Sequence, residues 1–423
     1  MLDQLVQPDT RLFAVEGRDF AYLPARNALF EIDAEDRIAI EAARGNARPA
    51  DAIPVPAPAA PARPVLSLTL MVVQECNLAC LYCYGGEGEY KNRGRMSVET
   101  ALASVDHLFD RAGNAPEVSI TFFGGEPLLN WPVVEAVVGH ARAREAETGI
   151  RVGFSMTCNG TLLDAAKSDF LVANRVSVLI SIDGDAAAHD GNRPQKGGRG
   201  SHAQIVSKTE PLRNARKLSA RATVTPNNAA IDRQVDHLLK LGFRGVAFSP
   251  ALDMMTPEAF AELDAAYDRL IDRFAGLVEA GQFAQAARLR NIYALLERIH
   301  SGRRKTHFCG AGTNMMAVDK DGEFYPCHRF VGDKRFVLGG LGRGEEKRAA
   351  FIAESAIDAR DHCGQCWARN LCGGGCHHEN VASNGTLALP NADYCRSTRS
   401  QLDRLLKVYA AMTPAQREDL FPA

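Results

Sequence analysis

No uninterrupted apolar run in this 423-residue chain approaches the roughly 20 residues that a membrane helix requires. The opening Met1-Leu2-Asp3-Gln4 has neither a basic region nor an apolar signal segment, so a cytoplasmic address is expected. Charge of one sign is also lacking: 49 basic residues against 51 acidic ones leave a formal charge of -2. No net field draws the chain to nucleic acid or to an anionic membrane, and neither is expected as a partner. What the sequence does have is a core-forming composition, 46% apolar and 24% charged, in a length that suits two or three domains. It also has eleven cysteines. In a reducing compartment these are poor candidates for structural disulfides, and their clustering points to metal.

Short β-rich runs at Leu12-Val15, Phe20-Leu23 and Leu29-Ile32, with a helix after Asp33, form a small N-terminal module over residues 1–46. Residues 47–64 are rich in Ala and Pro, a composition that favours extended polyproline II, and read as a semi-rigid linker. From Val65 to residue 253, six β-rich runs alternate with helical patterns: Leu66-Val73, Glu117-Phe123, Val152-Thr157, Ser177-Ile182, Ser219-Val224 and Gly245-Pro250. Six βα units imply parallel strands and an α/β fold, a partial (βα)6 barrel with its chemistry at the C-terminal strand ends. Residues 254–304 read as a helical bridge. Residues 305–399, with seven cysteines, frequent Gly and little periodicity, read as a domain organised by metal, followed by a C-terminal helix or tail over 400–423.

Directly after the first of the six runs stands Cys76-Asn-Leu-Ala-Cys80-Leu-Tyr-Cys83. Three thiolates on one loop can ligate three irons of a [4Fe-4S] cluster and leave the fourth open to an external ligand. Half of a zinc site, or a redox-active pair from Cys80 and Cys83, is the alternative. The spacing resembles the CxxxCxxC loop of the radical S-adenosylmethionine superfamily, in which the methionine amino and carboxylate groups bind the open iron. Gly124-Gly125-Glu126-Pro127 resembles that family's GGEP segment, whose backbone and acidic residue receive the methionine amino group; by itself it is a turn. The resemblance further implies cofactor contacts from Tyr82, Ser155, Asn159, Ser181 and Asp183 at the strand ends, and from Arg221, which can pair with the carboxylate. Taken singly, Ser155, Thr157, Asn159 and Asp183 read as loop caps before they read as ligand contacts.

The second cysteine set is Cys309, Cys327, then Cys363-x2-Cys366-x5-Cys372-x3-Cys376, then Cys395. A zinc ribbon on Cys363, Cys366, Cys372 and Cys376 is one reading, but it leaves three cysteines unexplained. The set resembles the SPASM domain, which binds two auxiliary iron-sulfur clusters in radical enzymes that modify peptides. The resemblance implies Cys309, Cys327 and Cys376 for one cluster and Cys363, Cys366, Cys372 and Cys395 for the other, three [4Fe-4S] clusters in all, with S-adenosylmethionine. The first auxiliary set is one ligand short, since Gly310 to Pro326 holds no cysteine. A substrate thiolate, water or a non-cysteine side chain would complete it. Cys158 is left over and reads as a buried inert thiol.

These resemblances imply a peptide- or protein-modifying radical enzyme, with a precursor peptide or protein as substrate and a reductant such as flavodoxin or ferredoxin. The runs CNLACLYCYGGEGEY and FYPCHRFVGDKRFVLGGL are most similar to enzymes that form thioether crosslinks in ribosomally made peptides, including the maturase of quinohemoprotein amine dehydrogenase. Oxidation or carbon-carbon crosslinking of a residue is the second reading. A non-catalytic metal-dependent peptide-binding or redox-sensing protein is the third. Anaerobic sulfatase maturases, similar in both cluster regions, typically carry an Asp as proton acceptor where this chain has His328. That difference argues against their activity and leaves His328 as the one catalytic candidate. The N-terminal module resembles the three-stranded element that binds leader peptides by strand addition; an ordinary packing extension is the alternative.

Overall fold

The protein is described from a computed structural model that covers residues 9–46 and 64–422. Most of the expected linker, residues 47–63, lies outside the described residues. The chain divides into two compact units: the described part of residues 1–60 with 257–309 and 354–423, and residues 61–256 with 310–353.

The first of these units holds a three-stranded antiparallel sheet, β1 (Arg11–Val15), β2 (Arg18–Leu23) and β3 (Ala28–Ile32), followed by the helix Ala34–Asn46. It also holds the helices Pro257–Glu279, Arg290–His300 and Ala392–Ala411. The small sheet does not stand alone. Asn27, in the left-handed region at φ 49°, donates from Nδ2 to the carbonyls of Arg298 and Arg303, both at 2.9 Å. Arg11 pairs with Asp403 at 2.8 Å, Asn370 Nδ2 donates to the Pro24 carbonyl at 2.6 Å, and Tyr22 meets Trp367 edge to face.

Among the described residues, the second unit is built on one sheet of ten strands. They are β4 (Ser67–Gln74), β5 (Gly94–Arg95), β6 (Glu117–Gly124), β7 (Arg151–Cys158), β8 (Ser177–Ser181), β9 (Leu218–Val224), β10 (Val246–Pro250), β11 (Met315–Val318), β12 (Glu323–Tyr325) and β13 (Gly339–Gly340). The order is β10-β9-β8-β7-β6-β4-β11-β12-β13, with β5 paired to β4. From β10 to β11 every neighbouring pair is parallel. This is the α/β architecture with a parallel sheet that the six alternating units imply. β4 is buried along almost its whole length, as the near-continuous apolar run Leu68–Val73 requires of a central parallel strand.

The strands beside it alternate. In β6, β7 and β9 every second residue is fully buried, while most of those between are half-buried. Register carries the half-buried set across the sheet: Thr121 opposes Ser155, Ser155 opposes Ser177, and Ser181, on the same face as Ser177, opposes Arg221. One polar face of the sheet therefore collects Thr121, Ser155, Ser181 and Arg221.

The expected single domain over 305–399 is divided between the units. Residues 310–353 belong with the large sheet, because Met315–Val318 adds a parallel strand to β4 on the side away from β6. Residues 354–399 belong with the small sheet.

Candidate active site and cysteine centres

Cys76, Cys80 and Cys83 lie on the loop that leaves β4. That loop is pinned by its own backbone to the segment after β8. Ala79 N–H donates to the Pro194 carbonyl at 2.8 Å, and Leu81 N–H donates to the Asn192 carbonyl at 3.0 Å. Leu78 and Gln195 complete a short antiparallel bridge. On another side the loop closes on two glycines. A Cβ on Gly88 would stand 2.5 Å from the Cys76 Cβ, and one on Gly125 would stand 2.1 Å from the Glu75 carbonyl oxygen and 2.8 Å from that of Gly88. Neither position tolerates a side chain, and a Cβ on Gly124 would stand 2.1 Å from the Val73 carbonyl oxygen, so the expected GG pair serves close backbone approach.

Burial pushes the Cys76 thiol up to about 12, with the Glu126 charge adding to the effect. Cys80 is also raised, again by burial first. Thiols on one rigid loop, costly to ionise without a cation beside them, fit an iron-sulfur centre. Among the described residues no three Cys, His, Asp or Glu side chains converge as one metal ion would require. A cubane binds each thiolate through a different iron, so its sulfur ligands stand farther apart than those of a single zinc ion.

Around this loop the expected cofactor residues form two buried networks. In the first, Glu126 is fully buried and accepts main-chain N–H bonds from Asn159 at 2.7 Å and Leu128 at 3.1 Å. Burial pushes its carboxyl up to about 7 against those two bonds. Glu126 thus ties the end of β7 to the turn at Pro127. Asn159 Nδ2 donates to Asn77 Oδ1 at 2.8 Å, and Thr161 Oγ1 links both asparagines at 2.6 and 2.8 Å.

In the second network, Tyr82 Oη donates to Asp183 Oδ2 at 2.6 Å and accepts from Arg193 Nη1 at 2.6 Å. Asp183, fully buried, also accepts the Thr223 N–H at 3.0 Å and lies 3.7 Å from the Arg193 guanidinium. His189 Nδ1 accepts the Asp183 N–H at 3.2 Å, which leaves Nε2 to the Ser201 hydroxyl at 2.9 Å. Burial lowers His189 to about 2, with the Arg193 charge assisting, so this imidazole stays neutral.

Ser155 bonds the Thr121 hydroxyl at 2.8 Å, and Arg221 donates to the Ser249 hydroxyl at 2.6 Å. Ser181 ends β8 opposite Arg221. His328 stacks on Phe123 at 4.3 Å between centroids and lies 6.1 Å from the Tyr84 ring, next to both the cysteine loop and Gly124. Cys158 is buried at the end of β7, where burial raises its thiol far above the ordinary range. Sequence reasoning passed over Asn77, His189 and Arg193. The run His189-Asp190-Gly191-Asn192-Arg193-Pro194, a basic residue capping the short helix Ala186–Asn192 that follows β8, was the available signal.

In the small-sheet unit, Cys363, Cys366, Cys372 and Cys395 line a single cavity of about 260 Å³. Cys395 is pushed up to about 11, by burial first and then by the Cys372 and Cys363 charges. Clustered thiols disfavour one another's ionisation unless a cation sits among them, and this set fits a four-cysteine iron-sulfur centre. Between Cys372 and Cys376, Gly373, Gly374 and Gly375 all take positive φ, from 76° to 85°. A Cβ on Gly373 would meet Phe308 Cα at 2.7 Å. Cys309 and Cys376 belong to this unit and Cys327 to the other.

Comparison with known proteins agrees with this geometry. Residues 70–263 match the sequence profile of the radical SAM superfamily. The serine-type anaerobic sulfatase-maturating enzyme of Klebsiella aerogenes is 25% identical over 356 residues, 79% of this chain and 85% of that one. The cysteine-type anaerobic sulfatase-maturating enzyme of Clostridium perfringens is 24% identical over 381 residues, 85% and 97% of the two chains. The solved structure of native anSMEcpe with bound AdoMet and Cp18Cys peptide superposes with a TM-score of 0.68 at 24% identity, covering 82% of this chain and 100% of that one. The cysteine loop and the strand-end networks lie within residues 70–263, the stretch whose sequence matches the radical SAM superfamily.

Proposed function

We propose that the enzyme matures a peptide or protein substrate, and that its product is a carbon-sulfur crosslink, a thioether. The observation that carries the first part is the presence, in one chain, of a three-thiol loop beyond β4 and a four-cysteine cavity elsewhere. The similarity to sulfatase-maturating enzymes, whose substrates are proteins, supports it. Cys76, Cys80 and Cys83 would hold a [4Fe-4S] centre, which when reduced and loaded with S-adenosylmethionine would supply a 5'-deoxyadenosyl radical. Around it, Glu126 and Asn159 hold the Gly-Gly turn, Tyr82, Asp183 and Arg193 hold the cysteine loop, and Ser155, Ser181 and Arg221 offer a polar face for the cofactor. His328 would exchange a proton beside that mouth, a role supported by its ring contacts with Phe123 and Tyr84.

The thioether reading rests on the short cysteine set. The auxiliary set that the resemblance implies is one cysteine short in the sequence, and a substrate thiolate would complete it. Closing the bond removes one hydrogen atom and one proton from the peptide, and the surplus electron passes to an acceptor of the flavodoxin or ferredoxin class. The leader of such a substrate would add to an edge of the β1–β3 sheet. The alternative, oxidation of a Ser or Cys side chain, is favoured by the sulfatase-maturating relatives and opposed by His328 in place of the Asp expected there.

The test is anaerobic reaction of reduced enzyme, S-adenosylmethionine and a cysteine-containing candidate peptide. Expected are 5'-deoxyadenosine and a peptide lighter by two hydrogens that no longer alkylates at Cys. A product that has lost its sulfur and reacts as an aldehyde favours the alternative. Retained cleavage after replacing Cys76, Cys80 and Cys83 by Ala overturns both.

A further inference from the structure

Arg360 is 1% exposed, yet its oxygen and nitrogen acceptors are all neutral. Its Nη1 donates to the Gly374 carbonyl at 2.8 Å, and its Nη2 donates to the Ser355 carbonyl at 2.6 Å and to His377 Nδ1 at 2.8 Å. Its Nε is buried without a partner among the described residues. No carboxylate pairs with it among the described residues. The fit is tight, since a Cβ on Gly374 would come within 2.5 Å of Nη1, and the positive φ of that glycine keeps the space clear.

Lys305 repeats the arrangement nearby. Its Nζ donates to the carbonyls of Phe308 at 2.7 Å and Cys372 at 3.3 Å, again with no carboxylate partner among the described residues. The acidic groups within electrostatic reach of the two cations are thiols: Cys363 and Cys372 for Arg360, Cys372 and Cys309 for Lys305. A guanidinium cannot shed its proton on burial as other groups do, so a buried one needs an anion to face. Four thiolates around a doubly charged cluster leave a dianion, and the cavity of Cys363, Cys366, Cys372 and Cys395 is where that dianion would be.

We propose that Arg360, with Lys305 as a second cation, is the built-in counter-charge of an anionic iron-sulfur centre in the four-cysteine cavity and raises that centre's reduction potential. Reduction adds negative charge, so a fixed buried cation favours the reduced form. Arg360 is a positioning residue in this role. It touches neither substrate nor S-adenosylmethionine in the reading above, and the inference rests on that reading only in taking the cavity for an iron-sulfur centre.

The experiment is potentiometric titration followed by electron paramagnetic resonance, in full-length chain whose Cys76, Cys80 and Cys83 are replaced by Ala. The signal lost on further Cys395→Ser identifies the four-cysteine centre. Arg360→Gln should shift its midpoint to more negative potential, Arg360→Lys should restore most of the shift, and Lys305→Gln should move it in the same direction by less. Arg404→Gln, a change at an exposed ion pair, sets the background. An Arg360→Gln shift no larger than that background overturns the proposal, as does zinc in place of iron at the Cys395-dependent centre. If Arg360→Gln does not fold, Lys305→Gln decides, and a midpoint unmoved there is equally fatal. Formation of 5'-deoxyadenosine by the parent chain is scored separately, so failure of the radical reading is told apart from failure of this one.

Discussion

The hydroxyl of Tyr82 stands 2.6 Å from Asp183 Oδ2, joining the cysteine loop to the end of the fourth parallel strand. Because Arg193 donates to the same hydroxyl, one phenol bridges a buried acid and a buried base. Its removal leaves both short of a partner. Tyr82→Phe is therefore expected to lower stability by about 1–3 kcal/mol and to weaken S-adenosylmethionine binding. Thermal unfolding and equilibrium binding measure the two, and wild-type values for both would remove the bridge from the account.

Gly125 has no room for a methyl group, since the obstructing atoms are main-chain oxygens that cannot rotate away. Gly125→Ala should displace the cysteine loop, and misplacement of about 1 Å can cost on the order of 100-fold in rate. The expected result is 5'-deoxyadenosine formation at or below about one hundredth of wild type, with iron lost from the first centre and retained in the Cys395-dependent one. An active, fully iron-loaded variant would contradict the steric reading.

His328 can be separated from its stacking role. His328→Phe keeps a ring against Phe123 but has no nitrogen to carry a proton. If the imidazole moves a proton during substrate modification, product formation should fall by about 10²–10⁴-fold while 5'-deoxyadenosine is still made. Equal product yields from variant and wild type would assign His328 to packing alone.

Glu345 supplies a pH test away from the cysteines. Its side chain is 3% exposed, and burial disfavours its charge. The His107 hydrogen bond and the Arg111 and Arg348 charges outweigh that burial and hold the carboxyl at about 2. Because the folded value lies below the unfolded one of roughly 4.3, the stabilisation is complete above the unfolded value and is lost as pH falls toward the folded one. It amounts to at most about 3 kcal/mol. The gap in melting temperature between wild type and Glu345→Gln should narrow as pH drops from about 5 toward 3; a constant gap would show that the ionised form is not what stabilises.

Strands β4 and β6 to β10 were legible because each carries its own short apolar run and the runs alternate with helical periods. The cysteine loop was legible because its three thiols are local. What the sequence concealed depends on distant pairing. Met315–Val318 is short and sits in a glycine-rich, cysteine-bearing stretch, so nothing local marks it as a neighbour of β4. Arg193 gains meaning only when the chain folds back to bring it to Tyr82. Glu126 was read as a ligand group from its motif, and its two main-chain bonds could not be foreseen from spacing.

The late arrival of β11 has a consequence for how this protein is made. β4 emerges from the ribosome early, yet its second parallel neighbour is synthesised only after every other parallel strand has appeared. Until then a strand built for complete burial presents Ser67 to Leu70 as a bare edge, a template for pairing with other chains. A chain cut before residue 315 keeps that edge permanently. The catalytic half is thus not a portable cassette: it needs the C-terminal sequence for ordinary strand pairing, before any iron is involved.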